Sequence, residues 1–272
     1  MSENKFQDKV AIVTGSSRGI GKAIALELIK NGATVVINSR NQDKLLETEN
    51  ELKAFGGNIL SICCDVTNPE QAQSLIDQTI TTFGKIDILI NNAGVSMRGD
   101  FSDLKPEVFK RVFDTNILGV VNLSIPAMPH IKASNGSLVF ISSLAGIRGL
   151  PGFSAYSSSK MGLRAIAESI RIEEANSNIH VGLILVGITE IDPDKRTISA
   201  DGKLISLQER SQFKAQTTES VAKAVLKNIR KRKFKTTLTG IGKLNAIMQP
   251  FLPALVEKIL IRSVSKIKNK SL

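Results

Sequence analysis

Tyr156 is the single tyrosine of this 272-residue chain, and Lys160 follows it by four positions in Tyr156-Ser157-Ser158-Ser159-Lys160. On a helix, residues four apart share a face, so a phenol and an ammonium in this spacing point into one site. A free phenol has a pKa of about 10 and is a poor base at neutral pH. A nearby cation favours the phenolate, and a tyrosine so biased becomes a usable acid–base group. The spacing alone is common on helix surfaces. It gains meaning only from other polar groups that converge on the same place.

Three segments qualify. The apolar run Leu138–Ile141 ends in Ser142-Ser143, thirteen residues before Tyr156. The run Ile86–Ile90 ends in Asn91-Asn92-Ala93-Gly94, and Asn116 lies inside the long helical pattern Pro106–Ala133. If both runs are parallel strands, their polar ends share one sheet edge, and parallel α/β sheets bind ligands beyond that edge.

The third segment opens on that edge too. After the run Val10–Val13 comes Thr14-Gly15-Ser16-Ser17-Arg18-Gly19-Ile20-Gly21. Glycines between a strand and a helix permit unusual backbone angles, close approach of a pyrophosphate and tight helix–strand packing. The helix N-terminus then offers free N–H groups and partial positive charge to phosphates. A nucleotide-triphosphate P-loop does not fit: five residues separate Gly15 from Gly21-Lys22, and Ala23 stands where Ser or Thr is needed. The second strand ends Ile37-Asn38-Ser39-Arg40 without the acid that usually bonds an NAD ribose. Arg18 and Arg40 instead supply charge and bidentate donors for a 2′-phosphate, so the expected cofactor is NADP(H).

The elements that must position these groups read as an alternation. The apolar runs Val10–Val13, Thr34–Ile37, Ile59–Cys63, Ile86–Ile90, Leu138–Ile141 and Val181–Val186 are separated by helical patterns over Ile20–Lys30, Gln42–Ala54, Pro69–Phe83, Pro106–Ala133 and Ala155–Asn176. This predicts an α/β fold, a Rossmann-like doubly wound parallel sheet of about seven strands with helices on both faces. Gly32, Asn68-Pro69 and Gly84 mark helix boundaries. Residues 1–240 form one cofactor-binding catalytic domain, and 241–272 a helical extension.

The chain resembles the short-chain dehydrogenase/reductase family in its roughly 250-residue form. The matching motifs are the Thr14–Gly21 turn, Asn91-Asn92-Ala93-Gly94, Asn116, Ser143 and Tyr156-xxx-Lys160, and the resemblance covers about residues 7–240. It implies that Tyr156 exchanges a proton with the substrate oxygen. Lys160 then binds the nicotinamide ribose and lowers the tyrosine pKa, Ser143 hydrogen-bonds the substrate oxygen, and Asn116 holds a relay water. Gly15, Ser17, Arg18, Gly19, Ile20, Gly21 and Arg40 belong to the cofactor site by the reading above. The resemblance adds Asp65 and Val66 at adenine, with Asn92, Ala93 and Gly94 along the cofactor. One departure stands out. The family shows Pro-Gly and then a threonine on the nicotinamide amide, whereas this chain reads Val186-Gly187-Ile188-Thr189-Glu190-Ile191. Gly187 keeps its place, Ile191 falls where the threonine is expected, and Thr189 is its nearest substitute.

Composition excludes several classes. Cys63 and Cys64 are neighbours in an apolar run and read as two small buried hydrophobes; His130 and His180 are isolated, so no metal site is expected. No secretory signal is evident, and no apolar run reaches the roughly 20 residues needed to span a bilayer. A cytoplasmic enzyme is expected. The net charge of +11 is concentrated at one end: residues 223–272 hold 13 Lys/Arg and a single acid, Glu257. That pattern, without interleaved aromatics, argues against nucleic-acid binding.

Within that end, Ile241, Leu244, Ile247, Met248, Phe251, Leu252, Leu255, Val256, Ile259, Leu260, Val264 and Ile267 keep helical spacing beside Lys243, Lys258, Arg262, Lys266 and Lys268, and Pro250 and Pro253 should kink or divide the helix. Such a stripe suits either an anionic membrane surface, at the inner membrane face, or packing on the domain or a second subunit. The polar stretch Gly187–Gln216, with a turn at Asp201-Gly202, reads as a lid over the substrate.

The function expected is hydride transfer between NADP(H) and a lipophilic carbonyl or secondary alcohol. A 3-oxoacyl thioester reductase and a non-catalytic NADP sensor or scaffold are the alternatives. The resemblance also implies a homodimer or homotetramer.

Overall fold

The computed structural model describes residues 6–193, 195–207 and 215–268, with side chains described to Arg262. The elements run β1 (Val10–Val13), α1 (Gly19–Lys30), β2 (Thr34–Ser39), α2 (Gln42–Lys53), β3 (Ile59–Cys63), α3 (Pro69–Phe83), β4 (Ile88–Asn91) and a short β5 (Met97–Arg98). Then follow α4 (Pro106–Phe113), a π-helical turn (Asp114–Leu118), α5 (Gly119–Ala133), β6 (Ser137–Ser143), α6 (Ser154–Glu173) and β7 (His180–Val186). The chain continues through β8 (Arg196–Ser199), β9 (Leu204–Ser206), α7 (Thr218–Arg230), β10 (Lys235–Thr237), α8 (Gly240–Phe251) and α9 (Pro253–Lys268).

Seven parallel strands form one sheet in the order β10-β7-β6-β4-β1-β2-β3. Order reverses on either side of β1 and β4, which opens a crevice at their carboxyl ends. Strand residues alternate between two cores. Val13, Val35, Val139 and Ile184 pack with Ile24, Leu28 and Val225 of α1 and α7. Ile12, Val36, Phe140 and Leu183 face the other way, onto Leu75, Leu123 and Leu163 of α3, α5 and α6.

Local signals set the helix ends. The Asn68 side chain accepts from Gln71 N–H at the start of α3, and Gly84, at φ 72°, closes it in the left-handed region. Pro253 opens α9 where its missing N–H costs nothing, and Pro250 is accommodated inside α8, so the tail is two helices.

One expectation needs correction. Cys63, the last residue of the edge strand β3, is exposed and only Cys64, just beyond it, is buried, since successive residues of an extended chain point to opposite sides. Burial pushes the Cys64 thiol up to about 11, with the neighbouring Asp65 charge adding to it. The stretch Gly187–Gln216 carries structure of its own. It contributes β8 and β9, which turn at Asp201-Gly202 and join β5 in a second, three-stranded sheet anchored by the buried Ile198. A bridge between Thr189 and Gln216 closes its base. Residues 194 and 208–214 of that stretch, and 269–272 of the tail, lie outside the described residues.

Candidate active site

The glycine turn is fastened by its neighbours across the sheet. Asn92 Nδ2 donates to the carbonyls of Thr14 and Gly15 at 2.8 and 3.1 Å, while the backbone N–H groups of Asn92 and Ala93 both donate to Thr14 Oγ1. The turn is also close-packed. A Cβ on Gly15, at φ 60°, would lie 2.9 Å from Ala93 Cα, and one on Gly21 would lie 2.3 Å from the Gly15 carbonyl. Gly19 differs: at φ 53° it needs the left-handed region, yet a Cβ there would meet no atom within 4 Å. The turn is therefore tight toward the sheet and open at Gly19, at the start of α1, with Ile20 half-buried beside it. This is the cradle a pyrophosphate requires, and these residues fit a dinucleotide.

At the end of β2, Ser17 Oγ donates to Ser39 Oγ at 3.0 Å. Asn38 is buried, and its Nδ2 donates to the carbonyls of Ile62 and Cys64, tying β2 to β3. Its position is thus occupied by a structural tie. Arg18 is exposed at the N-cap of α1. Arg40 is more than half exposed and lies 3.6 Å from the Asp65 carboxylate. Burial alone would raise the Asp65 pKa, but bonds from the Thr67 N–H and hydroxyl and the Arg40 charge outweigh it and hold the carboxyl below its usual value. Val66 is a core residue. Its carbonyl accepts from Asn122 Nδ2 at 3.0 Å, and a Cβ on Gly119 would meet its side chain at 2.7 Å.

Beyond β4 and β6 the polar groups converge. Lys160 lies in α6 and is buried; its Nζ donates to the Ile141 carbonyl at 3.0 Å. Desolvation, with a smaller repulsion from Lys195, lowers its pKa to about 8. The ammonium is 5.9 Å from the centre of the half-buried Tyr156 ring. Tyr156 sits in the first turn of α6. A Cβ on Gly94 would lie 3.1 Å from Asn116 Oδ1 and 3.5 Å from Lys160 Nζ, so the three residues meet at one point. Ser143 ends β6, and its hydroxyl accepts from Ala145 N–H at 3.2 Å.

Asn116 occupies the π-helical turn between α4 and α5 and is fully buried. Its Oδ1 accepts from Val95 N–H, and its Nδ2 donates to the Val95 carbonyl and to Ser159 Oγ, all between 2.8 and 2.9 Å. The side chain thus clamps the segment after Gly94 onto α6. Both amide protons are used, so any water it holds must find an oxygen.

The loop after β7 approaches less directly. Gly187 packs on Thr239, where a Cβ would come within 2.6 Å of Cγ2. Thr189 Oγ1 donates to the Gly187 carbonyl and accepts from Gln216 Nε2, both at 3.2 Å, so its proton serves the loop.

Three contributors were not anticipated from sequence: Thr14 Oγ1, which organises the turn, Ile141 O, which receives the lysine, and Ser159, which receives Asn116. Ser159 lies one residue before Lys160 in a run of serines, which masks it. Among the described residues there is no group of three or more His, Cys, Asp or Glu side chains that could hold a metal.

A family model described as short chain dehydrogenase matches residues 9–201. The chain belongs to that family of oxidoreductases. It is 35% identical over 240 residues to a Bos taurus protein named 3-ketodihydrosphingosine reductase, covering 85% of this chain and 71% of that one. It is 36% identical over 228 residues to a Nostoc protein named Ketoacyl reductase HetN, covering 82% and 76%. Among solved structures, a short chain dehydrogenase/reductase from Burkholderia phymatum in complex with NAD superposes with a TM-score of 0.81 at 23% identity, covering 94% of this chain and 96% of that one, which supports the shared fold.

Proposed function

We propose that the protein is an NADP(H)-dependent reductase of lipophilic carbonyl compounds, or a dehydrogenase of the matching secondary alcohols. The observation that carries this reading is the meeting of Lys160 Nζ and Asn116 Oδ1 at Gly94, with the Tyr156 ring 5.9 Å from the ammonium. Residues 1–240 make up the catalytic domain.

The cofactor would be held by the turn Gly15–Gly21, by Asn92, Ala93 and Gly94, by Asp65 and Val66 at the adenine end, and by Gly187 and Thr189 near the nicotinamide. Arg18 and Arg40 together would receive a 2′-phosphate, with Arg40 turning from Asp65 toward it. When bound, the nicotinamide supplies or accepts the hydride. Tyr156 gives its phenolic proton to the carbonyl oxygen in reduction and takes one in oxidation. Lys160, charged and desolvated beside it, lowers the cost of the phenolate. Ser143, whose oxygen already accepts from Ala145, keeps its O–H free in direction to donate to the substrate oxygen. Asn116 fixes the backbone at Val95 and offers an oxygen for a water that reprotonates Lys160.

A 3-oxoacyl thioester is the second substrate reading, favoured by the relative named as a ketoacyl reductase. Cofactor oxidation measured with 3-oxoacyl thioesters, long-chain ketones and steroid ketones separates the two; turnover of none of them would leave only a cofactor-binding sensor.

A homodimer or homotetramer built on α5 and α6 is part of the proposal, since Ile125, Met161 and Ile172 are exposed there. The proposed location is the cytoplasm, with the tail at the inner, anionic face of a membrane. Among the described residues, no helix is long and apolar enough to cross one.

A further inference from the structure

Helices α8 and α9 have two faces of opposite character. The inner face is docked. Gly242 lies against Leu144, where a Cβ would come within 2.6 Å, Ala246 packs on the α5–α6 core, and Val256 is buried. One side chain from the catalytic domain ties both helices down: Arg148 donates from NH1 to Gln249 Oε1 at 3.2 Å and to the Pro253 carbonyl at 3.5 Å, and its NH2 lies 3.8 Å from Glu257. Arg148 is five residues beyond Ser143, and Leu144 is the next residue after it. The extension is therefore clasped to the loop that carries the substrate side of the site.

Among the described residues, the outer face is exposed. Ile241, Leu244, Ile247 and Phe251 of α8, with Leu255 and Ile259 of α9, are between 45 and 78% exposed. Lys243, Lys258 and Arg262 are exposed alongside them. The single acid of residues 223–272, Glu257, is the residue drawn to Arg148. What remains outward is apolar and cationic, the combination that partitions into an anionic lipid interface.

We propose that α8–α9 form a clasped docking unit that seats the substrate entrance, beside Leu144, on an anionic bilayer, so that an apolar substrate reaches Ser143 and Tyr156 directly from the lipid. The entrance role rests on the reductase reading given above; the docking surface does not.

The test is co-sedimentation of the full chain with vesicles of phosphatidylcholine alone and with about one-third phosphatidylserine. Wild type sediments with the anionic vesicles only, and Ile247→Glu/Phe251→Glu weakens that partitioning about tenfold or more. The same variant keeps wild-type turnover of a short, water-soluble ketone and loses rate on a vesicle-borne long-chain ketone. Equal sedimentation with neutral vesicles, or unchanged sedimentation of the variant, overturns the proposal. So does a wild type that stays in solution while the variant changes oligomeric mass, since the face is then a subunit interface. Sedimentation as expected with no carbonyl turnover would remove the entrance role and the reductase reading, and leave the docking surface standing.

Discussion

The Lys160 ammonium donates to the Ile141 carbonyl at 3.0 Å in a place where water hardly reaches either group. That bond compensates only part of the desolvation, which is why the pKa falls to about 8. In the unfolded chain the lysine titrates near 10.4. Between those values the folded state binds fewer protons than the unfolded one, so stability rises with pH across that window. Below about pH 8 the cost of the buried charge is present in full. Lys160→Met should therefore be more stable than wild type at pH 7 by about 2 kcal/mol, after allowing about 1 kcal/mol for the carbonyl left unpaired. Denaturant unfolding of the cofactor-free proteins at pH 7 and pH 10 checks this, the gap narrowing at the higher pH.

The same ionisation should appear in the kinetics. As pH rises through about 8 the cofactor-free protein loses the ammonium that, in the proposed mechanism, would favour the Tyr156 phenolate. The kcat/KM for NADPH in carbonyl reduction, which reports the cofactor-free enzyme, should fall above that value. A profile flat to pH 10 would dissociate Lys160 from the chemistry.

In the proposed site Arg40 would leave the Asp65 carboxylate, 3.6 Å away, for the phosphate of a bound NADP(H). Arg40→Asp removes the guanidinium and adds a second acid to that corner. The expected result is a 10- to 100-fold loss of kcat/KM with NADPH, roughly 1.4–3 kcal/mol, and a gain with NADH. Unchanged NADPH kinetics would show that the phosphate lies elsewhere.

Gly15 combines φ 60° with a neighbour, Ala93 Cα, 2.9 Å from where a Cβ would stand. Gly15→Val should lose about 2 kcal/mol of stability from backbone strain and crowding. It should also weaken cofactor binding, because Ala93 must shift. Gly19→Ala carries the strain without the crowding, so thermal melts of the pair separate the two contributions.

Much of this was legible because the signals were local. β1, β3 and α3 keep the boundaries read from sequence, since apolar runs, Asn68-Pro69 and Gly84 act over a few residues. The seven-stranded sheet follows from alternation. What escaped depends on distant partners. The π-helical turn at Asp114–Leu118 carries no glycine or proline, and the bonds its Asn116 makes to Val95 and Ser159 span 21 and 43 residues of sequence. Asn38 stands in sequence where an acid is missing, while in the fold it bonds the carbonyls of Ile62 in β3 and of Cys64 just beyond it. The sheet β5-β8-β9 is made of short, largely polar strands that read as a loop. The tail's two faces are distinguished by Arg148, about a hundred residues away in sequence, which holds one of them.

In the proposed reaction Tyr156 moves the proton while a bound nicotinamide exchanges the hydride. Single-turnover reduction of a long-chain ketone by NADPH decides this, with wild type and Tyr156→Phe compared at equal cofactor occupancy. A loss of about 10²–10⁴-fold in rate, with the NADPH Kd unchanged, is the predicted result. Turnover in the Tyr156→Phe protein within a few-fold of wild type would contradict it.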